Sequence, residues 1–238
     1  MSRQDWTAVV IELLVVVVGI LIALQVDQWA QGREARQTER TYLLRLKEDL
    51  QIERTRAVDA MEFGKSRLEA VEYLGRTVTD PAFVTNDPTG LPWAIETAAW
   101  RSFPKITSFV YDELQNTGKM SLIRSVALRR ALAEHYASIA HDGRVGEDRS
   151  AEQAFDQATA GLLTMKELVG IERVGGRRRI EIGEERAQSL AREFASRRQA
   201  VEQLPSLAQH HVFNMRVISE MQSRIDRLTA MIDDELAR

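Results

Sequence analysis

Few side chains in this sequence have the type and spacing to do chemistry. Glu12 is a carboxylate inside the apolar run 8–24, AVVIELLVVVVGILIAL. An ionisable group in such a run is costly and marks a functional position by default. Gly19 and Ala23 follow Glu12 by 7 and 11 residues, which puts the three on one helical stripe at about 100° per residue. Gly19 and Ala23 form a small-xxx-small pair that lets two helix backbones approach, and a protonated Glu12 would hydrogen-bond across them. This makes Glu12, Gly19 and Ala23 a candidate membrane oligomer seam. The competing reading sends Glu12 to nearby headgroups and leaves Gly19 incidental.

Two further constellations stand out. Leu204, Leu207, His211, Asn214, Ile218, Met221, Ile225, Leu228 and Ile232 recur in alternating steps of three and four, a heptad seam. His211 and Asn214 are its polar members and are candidate specificity residues, since a buried polar seam position fixes register and oligomer state. The seam is free to pack within the chain or against a second copy. Tyr111, Asp112 and Glu113 sit on a short helix ended by Thr117-Gly118, and they are candidate rim residues of a partner notch. The plainer reading has Gly118 supplying a positive-φ stop while Tyr111 and Leu114 pack a corner.

Other chemistry finds little support. Six of the fifteen aromatics (Phe83, Trp93, Trp100, Phe103, Phe109 and Tyr111) crowd into one stretch, as a satellite core or an aromatic-lined pocket. None of His135, His141, His210 and His211 has an acidic residue three places before it, as a di-iron bundle requires, and no His-Glu-x-x-His helix is present. The sequence has no Gly-x-Gly-x-x-Gly, no P-loop and no Gly-x-Ser-x-Gly elbow. With no cysteine, disulfides, thiolate metal sites and Cys nucleophiles are excluded. The run 177–179, Arg-Arg-Arg, reads as a solvated loop in a chain of net charge −3, and a nucleic-acid binder usually carries a basic excess. Neither a cofactor nor a nucleic-acid partner is expected.

The elements that must carry these residues are helical. The chain has 238 residues, of which 44% are hydrophobic and 28% charged, with only 13 Gly and 5 Pro. Trp6 and Trp29 bracket the apolar run, ~35 Å apart along a helix, close to a hydrocarbon core of about 30 Å with interfacial Trp at each edge. A cleaved signal peptide fits poorly. Ala23 is preceded two places earlier by Leu21 and Ala30 by Gln28, so neither offers small residues at −1 and −3. Arg33, Arg36, Arg40, Arg45 and Lys47 outnumber Arg3 on the other flank, which leans the C-terminal domain towards the cytoplasm. Long domains cross membranes largely regardless of charge, so its side stays open.

The expected division is an anchor over 1–28, a long juxtamembrane helix over 29–78, a loop and short-helix insertion over 79–124, and a helical bundle over 125–238. The juxtamembrane helix is expected to bury Leu43, Leu46, Leu50, Ala57, Met61, Gly64, Leu68 and Val71, and to bend near Ala57, Ala60 and Gly64. Short helices are expected over 92–101 and 107–116, a long one over 125–169, a loop with a small hairpin near 174–176, and another helix over 184–204. Pro205 is expected to start or kink the last helix.

Two blocks resemble a known family. They are IELLVVVVGILIALQVDQWAQ at 11–31, followed by YLLRLKEDL at 42–50, and YDELQNTGKMSLIRSVALRRALAEHY at 111–136. Together they resemble bacterial single-pass membrane proteins that carry a domain of unknown function, with an anchor running into Ala-Leu-Gln and a Trp, then a Tyr-x-Glu-Leu-x-x-Ser/Thr-Gly signature. The resemblance implies a bacterial membrane protein and no activity, cofactor or catalytic residue. The expectation is an all-α protein whose N-terminal transmembrane helix continues into an elongated helical bundle with coiled-coil character. It would be a non-enzymatic scaffold or interaction protein of the bacterial inner membrane, with the lipid bilayer and a second copy or another membrane protein as partners. The alternative is an exported ligand-sensing module acting through a membrane partner.

Overall fold

The computed structural model describes the backbone of residues 3–101, 103–106, 108–145, 149–173, 180 and 182–238, and the side chains of these apart from 3–12, 15, 140–145 and 172–173. All regular structure among the described residues is helical. Helix α1 runs Arg3–Thr79, followed by α2 (Phe83–Asn86), α3 (Gly90–Thr97) and α4 (Phe109–Asn116). A 3-10 turn over Lys119–Leu122 leads to α5 (Val126–Val145), α6 (Ser150–Thr159), α7 (Met165–Arg173), α8 (Glu184–Ser196) and α9 (Arg198–Leu236).

Helices α1 and α9 form an antiparallel pair on which the rest is assembled. Arg40 donates to the Leu236 carbonyl at 3.1 Å, Lys47 meets Asp233 at 2.5 Å and Arg54 meets Asp226 at 2.8 Å. Further along, Gly64 lies against Met215. As the α1 number rises the α9 number falls. All nine heptad positions of α9, Leu204 to Ile232, are buried, so this seam is used inside the chain and His211 and Asn214 face the chain's own core.

The α1 seam has a tighter register than hydrophobicity suggested. Leu43, Leu46, Leu50, Ala57, Ala60, Val71 and Leu74 are buried, and so are Glu39, Glu53 and Arg67. Met61, Gly64 and Leu68 are only half-buried. The three polar residues fall 14 positions apart, on the same alternation of three- and four-residue steps.

Two cores are strung along the pair. The near core joins α1 from Tyr42 to Ala60 with α4, the 3-10 turn, α5 and the C-terminal half of α9. The far core joins the end of α1 with α2, α3, α6, α7, α8 and the first part of α9. The segment 79–124 is thereby divided, since α2 and α3 serve the far core while α4 and the 3-10 turn serve the near one. Each fully buried Leu, such as Leu46 or Leu190, contributes roughly 1.5–3 kcal/mol of transfer free energy.

Several local expectations are corrected. The helix expected over 125–169 is three helices, α5 to α7. The break before α7 has two causes: Gly161 turns at φ +80°, and Thr164 caps α7 in reciprocal bonds with Glu167. The helix expected to reach residue 204 ends at Ser196, and α9 passes through Pro205 without stopping. Leu204 and Leu207 pack into the far core on either side of that proline, which outweighs its local cost. Gly118 does stop the chain after α4, at φ +68°. Gly90 is required by space, since a β-carbon there would strike the Tyr73 ring. The hairpin expected near 174–176 and the arginines at 177–179 lie outside the described residues.

Candidate functional site

The first candidate region is the start of α1. From Leu13 to Trp29 its large apolar side chains stand 43–64% exposed at every angle around the helix, among them Val16, Val17, Ile20, Leu21, Ile22 and Leu24. An apolar surface of that extent marks a membrane or protein contact. Gly19 faces open space and Ala23 is exposed, so neither touches another element. The Glu12 side chain lies outside the described residues, as do those of residues 8–11 and Val15 in the expected span. Among the described residues no helix is long and apolar enough to cross a membrane. Arg33 closes this segment, stacked 4.8 Å over the Trp29 ring.

In the near core, Glu53 is fully buried on α1 and receives two groups from α5. Its Oε2 lies 2.9 Å from His135 Nε2, and Tyr136 donates its hydroxyl to Oε1 at 3.1 Å. Burial and the Glu53 carboxylate together push the Tyr136 phenol upward, so it stays protonated and remains a donor. Tyr136 stacks on Tyr111 at 4.4 Å. The notch residues are thus placed by internal contacts. Tyr111 is buried and accepts from the Gln115 amide at 2.6 Å, and Asp112 accepts from Ser108 at 2.6 Å. Glu113 bridges back to α1, accepting from Arg45 at 2.7 Å and Tyr42 at 2.8 Å. The Arg45 guanidinium, then the Tyr42 hydroxyl, hold Glu113 below the usual carboxylate range.

In the far core, Arg67 is enclosed by aromatic faces. Its guanidinium carbon lies 4.5 Å from the Phe63 ring centroid, 5.5 Å from Trp93 and 5.7 Å from Trp100. Burial lowers it to about 10, which still leaves it charged at neutral pH. Nearby, Glu152 pairs with Arg101 at 3.1 Å and approaches His210 Nδ1 at 3.2 Å. His211 places Nε2 2.7 Å from the Ala98 carbonyl, and burial lowers its proton affinity, which makes it a neutral donor. Asn214 is buried beside the same seam. The crowded aromatics divide between the cores: Trp93 is in the far one, Tyr111 in the near one, and Phe109 is 72% exposed. An open cavity of about 330 Å³ lies between Phe63, Trp100, Arg101 and Glu152.

The buried Glu53, Arg67 and Glu152 sites were not among the sequence candidates. For Glu53 and Arg67 the signal was present, because carrying the seam alternation through charged residues lands on both. Glu152 had no comparable signal, since its partners come from distant segments. Among the described residues, no group of three His, Asp or Glu side chains converges to hold a metal ion. The described arrangement is one of structural polar clusters inside a helical bundle that continues into an exposed apolar helix. Compared with known proteins, the chain matches no family model, no curated protein and no solved structure.

Proposed function

We propose that this chain is a membrane-anchored helical scaffold or interaction protein of the bacterial inner membrane, with no catalysis of its own. One observation carries the reading. The same continuous helix is exposed at every described side chain from Leu13 to Val26, all but Gln25 of them apolar or Gly, then amphipathic and packed from Glu39 onward. A helix apolar on all sides suits a bilayer, where it satisfies its own backbone groups. The bundle then stands on a single span between Trp6 and Trp29, and a second copy or another membrane protein docks along Glu12, Gly19 and Ala23. In bacterial fractionation the full chain is expected in membranes, resisting alkaline carbonate and released by detergent. Recovery as a detergent-free soluble species, or a mature N-terminus beyond Trp29, overturns the anchor. Crosslinking within the membrane is expected to fall in Glu12→Ala and Gly19→Ile, and unchanged yields remove the seam.

The cavity beside Phe63 and Trp100 favours a second reading, an exported ligand-sensing module that signals through a membrane partner. Protease added to spheroplasts separates the two. Digestion of the bundle supports export, and full protection supports a cytoplasmic scaffold.

A further inference from the structure

A pocket of about 470 Å³ opens where the bundle meets the start of the packed part of α1. It collects guanidinium groups from three places in the chain: Arg36 and Arg40 on α1, Arg124 before α5, and Arg238 after α9. Its two side-chain carboxylates are already engaged. Glu39 is buried and accepts both the backbone N–H of Arg124 at 2.7 Å and its Nε at 2.5 Å. Glu235 pairs with Arg238 at 3.1 Å. Arg40 gives one N–H to the neutral Leu236 carbonyl, and Arg36 is exposed and forms no ion pair among the described residues. Among the described residues, Arg36 and Arg40 therefore line the pocket without a side-chain carboxylate as partner, and Leu43 and Leu236 add an apolar wall.

We infer that this pocket binds a phosphate-bearing anion, supplied by the headgroup of an anionic lipid. Guanidinium forks match phosphate oxygens in bidentate geometry. The position favours the lipid source: Arg36 and Arg40 follow Trp29 by ~10 and ~16 Å of helix, within about one to two Debye lengths of a surface at the Trp29 level. The inference rests on the membrane-anchored reading for the origin of the ligand, while the phosphate chemistry stands on the pocket alone.

The test uses the full chain in mixed detergent micelles containing phosphatidylcholine and phosphatidylglycerol, read by native mass spectrometry. One retained phosphatidylglycerol is expected, in preference to phosphatidylcholine. In the double variant Arg36→Gln/Arg40→Gln retention is expected to fall roughly tenfold, since each basic residue near a charged membrane surface contributes measurably. The exposed control Arg192→Gln/Arg198→Gln should retain lipid like the unaltered chain. No retained lipid, equal retention of both lipids, or equal loss in the control overturns the proposal. Inorganic phosphate titrated into the micellar protein without phosphatidylglycerol distinguishes the source. Binding as tight as the lipid's, lost in the double variant, keeps the phosphate pocket and overturns the lipid origin. A chain that stays folded and soluble without micelles sinks the anchor instead, a different result from a micelle-bound chain that ignores phosphate.

Discussion

The two cores interrupt the same α1 seam with a polar residue 14 positions apart, and they hold it by different means. In the near core the intruder is an anion, Glu53, and it is met by directional donors from a single helix turn, His135 and Tyr136. In the far core it is a cation, Arg67, and it is met largely by the faces of Phe63, Trp93 and Trp100, gathered from two segments. The difference follows from the charges. A carboxylate only accepts hydrogen bonds, so it needs N–H or O–H groups aimed at it. A guanidinium is planar and weakly hydrated, and the negative face of an aromatic ring attracts it. The near core therefore depends on register, and the far core on packing.

The sharpest way to break the near core is His135→Ala. It strips one donor from a carboxylate that has no exposure to water, and breaking a buried pair of this kind costs about 3–5 kcal/mol. Thermal unfolding of the full chain in mild detergent should show the largest loss of this set. Glu53→Gln in the otherwise unaltered chain, which keeps a polar group for both α5 side chains, should cost clearly less than His135→Ala. A loss below 1 kcal/mol would mean that the pair does not organise this core.

The far core should respond next most strongly, and to shape more than to charge. Arg67→Ala empties the space between three rings and is expected to cost roughly 2–4 kcal/mol, the range for truncating a long buried side chain. Arg67→Met refills most of that volume without the charge and should restore more than half of the stability. Tryptophan emission from Trp93 and Trp100 reports the same step, shifting in the Ala variant and staying close to the unaltered chain in the Met variant. If Met is as damaging as Ala, charge rather than packing holds this site.

This contrast also explains what was legible in the sequence. The α9 seam was readable at all nine positions because seven are apolar and the two polar ones fall in step. The α1 seam was readable at Leu43, Leu46, Leu50, Ala57 and Val71. It slipped to Met61 and Leu68 where the buried residues are Ala60 and Arg67, because charged residues are so rarely buried that they read as surface. The Thr164–Glu167 capping box was present in the sequence as two residues three positions apart and marks the start of α7, yet the apolar stripe running through it read as one longer helix. Pro205 does not start the last helix, which begins at Arg198 and carries the proline inside it between the buried Leu204 and Leu207. Of the candidate residues, His211 and Asn214 are buried together with the apolar seam positions. The partners of Tyr111, Asp112 and Glu113 lie on α1, on α5, and within or just before α4, and only the fold brings α1 and α5 to them.

Acidification should separate the cores by a smaller amount. His211 is kept neutral by burial, and Glu152, Arg101 and Arg67 are the charged groups around it. Its folded proton affinity lies below the ordinary imidazole value near 6.5, so the unfolded chain takes up the proton first. Stability is then full above that value and declines as pH falls from it towards the lower folded one, with a slope of at most about 1.4 kcal/mol per pH unit. His211→Gln retains a donor for the Ala98 carbonyl and should flatten the profile between pH 7 and 5. A slope unchanged in the variant assigns the acid sensitivity to other groups.

The smallest effect is expected on the outside of the near core, where α1 and α9 are joined by ion pairs open to solvent. Lys47 and Asp233 approach to 2.5 Å, but their side chains are 30% and 50% exposed. At that exposure solvent and salt screen the attraction, and holding the long lysine in one rotamer offsets part of what remains. Lys47→Ala should cost about 0.2–1 kcal/mol at low salt, and less at 0.5 M NaCl. A loss matching that of His135→Ala would remove the ranking, giving the surface charges between α1 and α9 as much weight in this core as the buried carboxylate between α1 and α5.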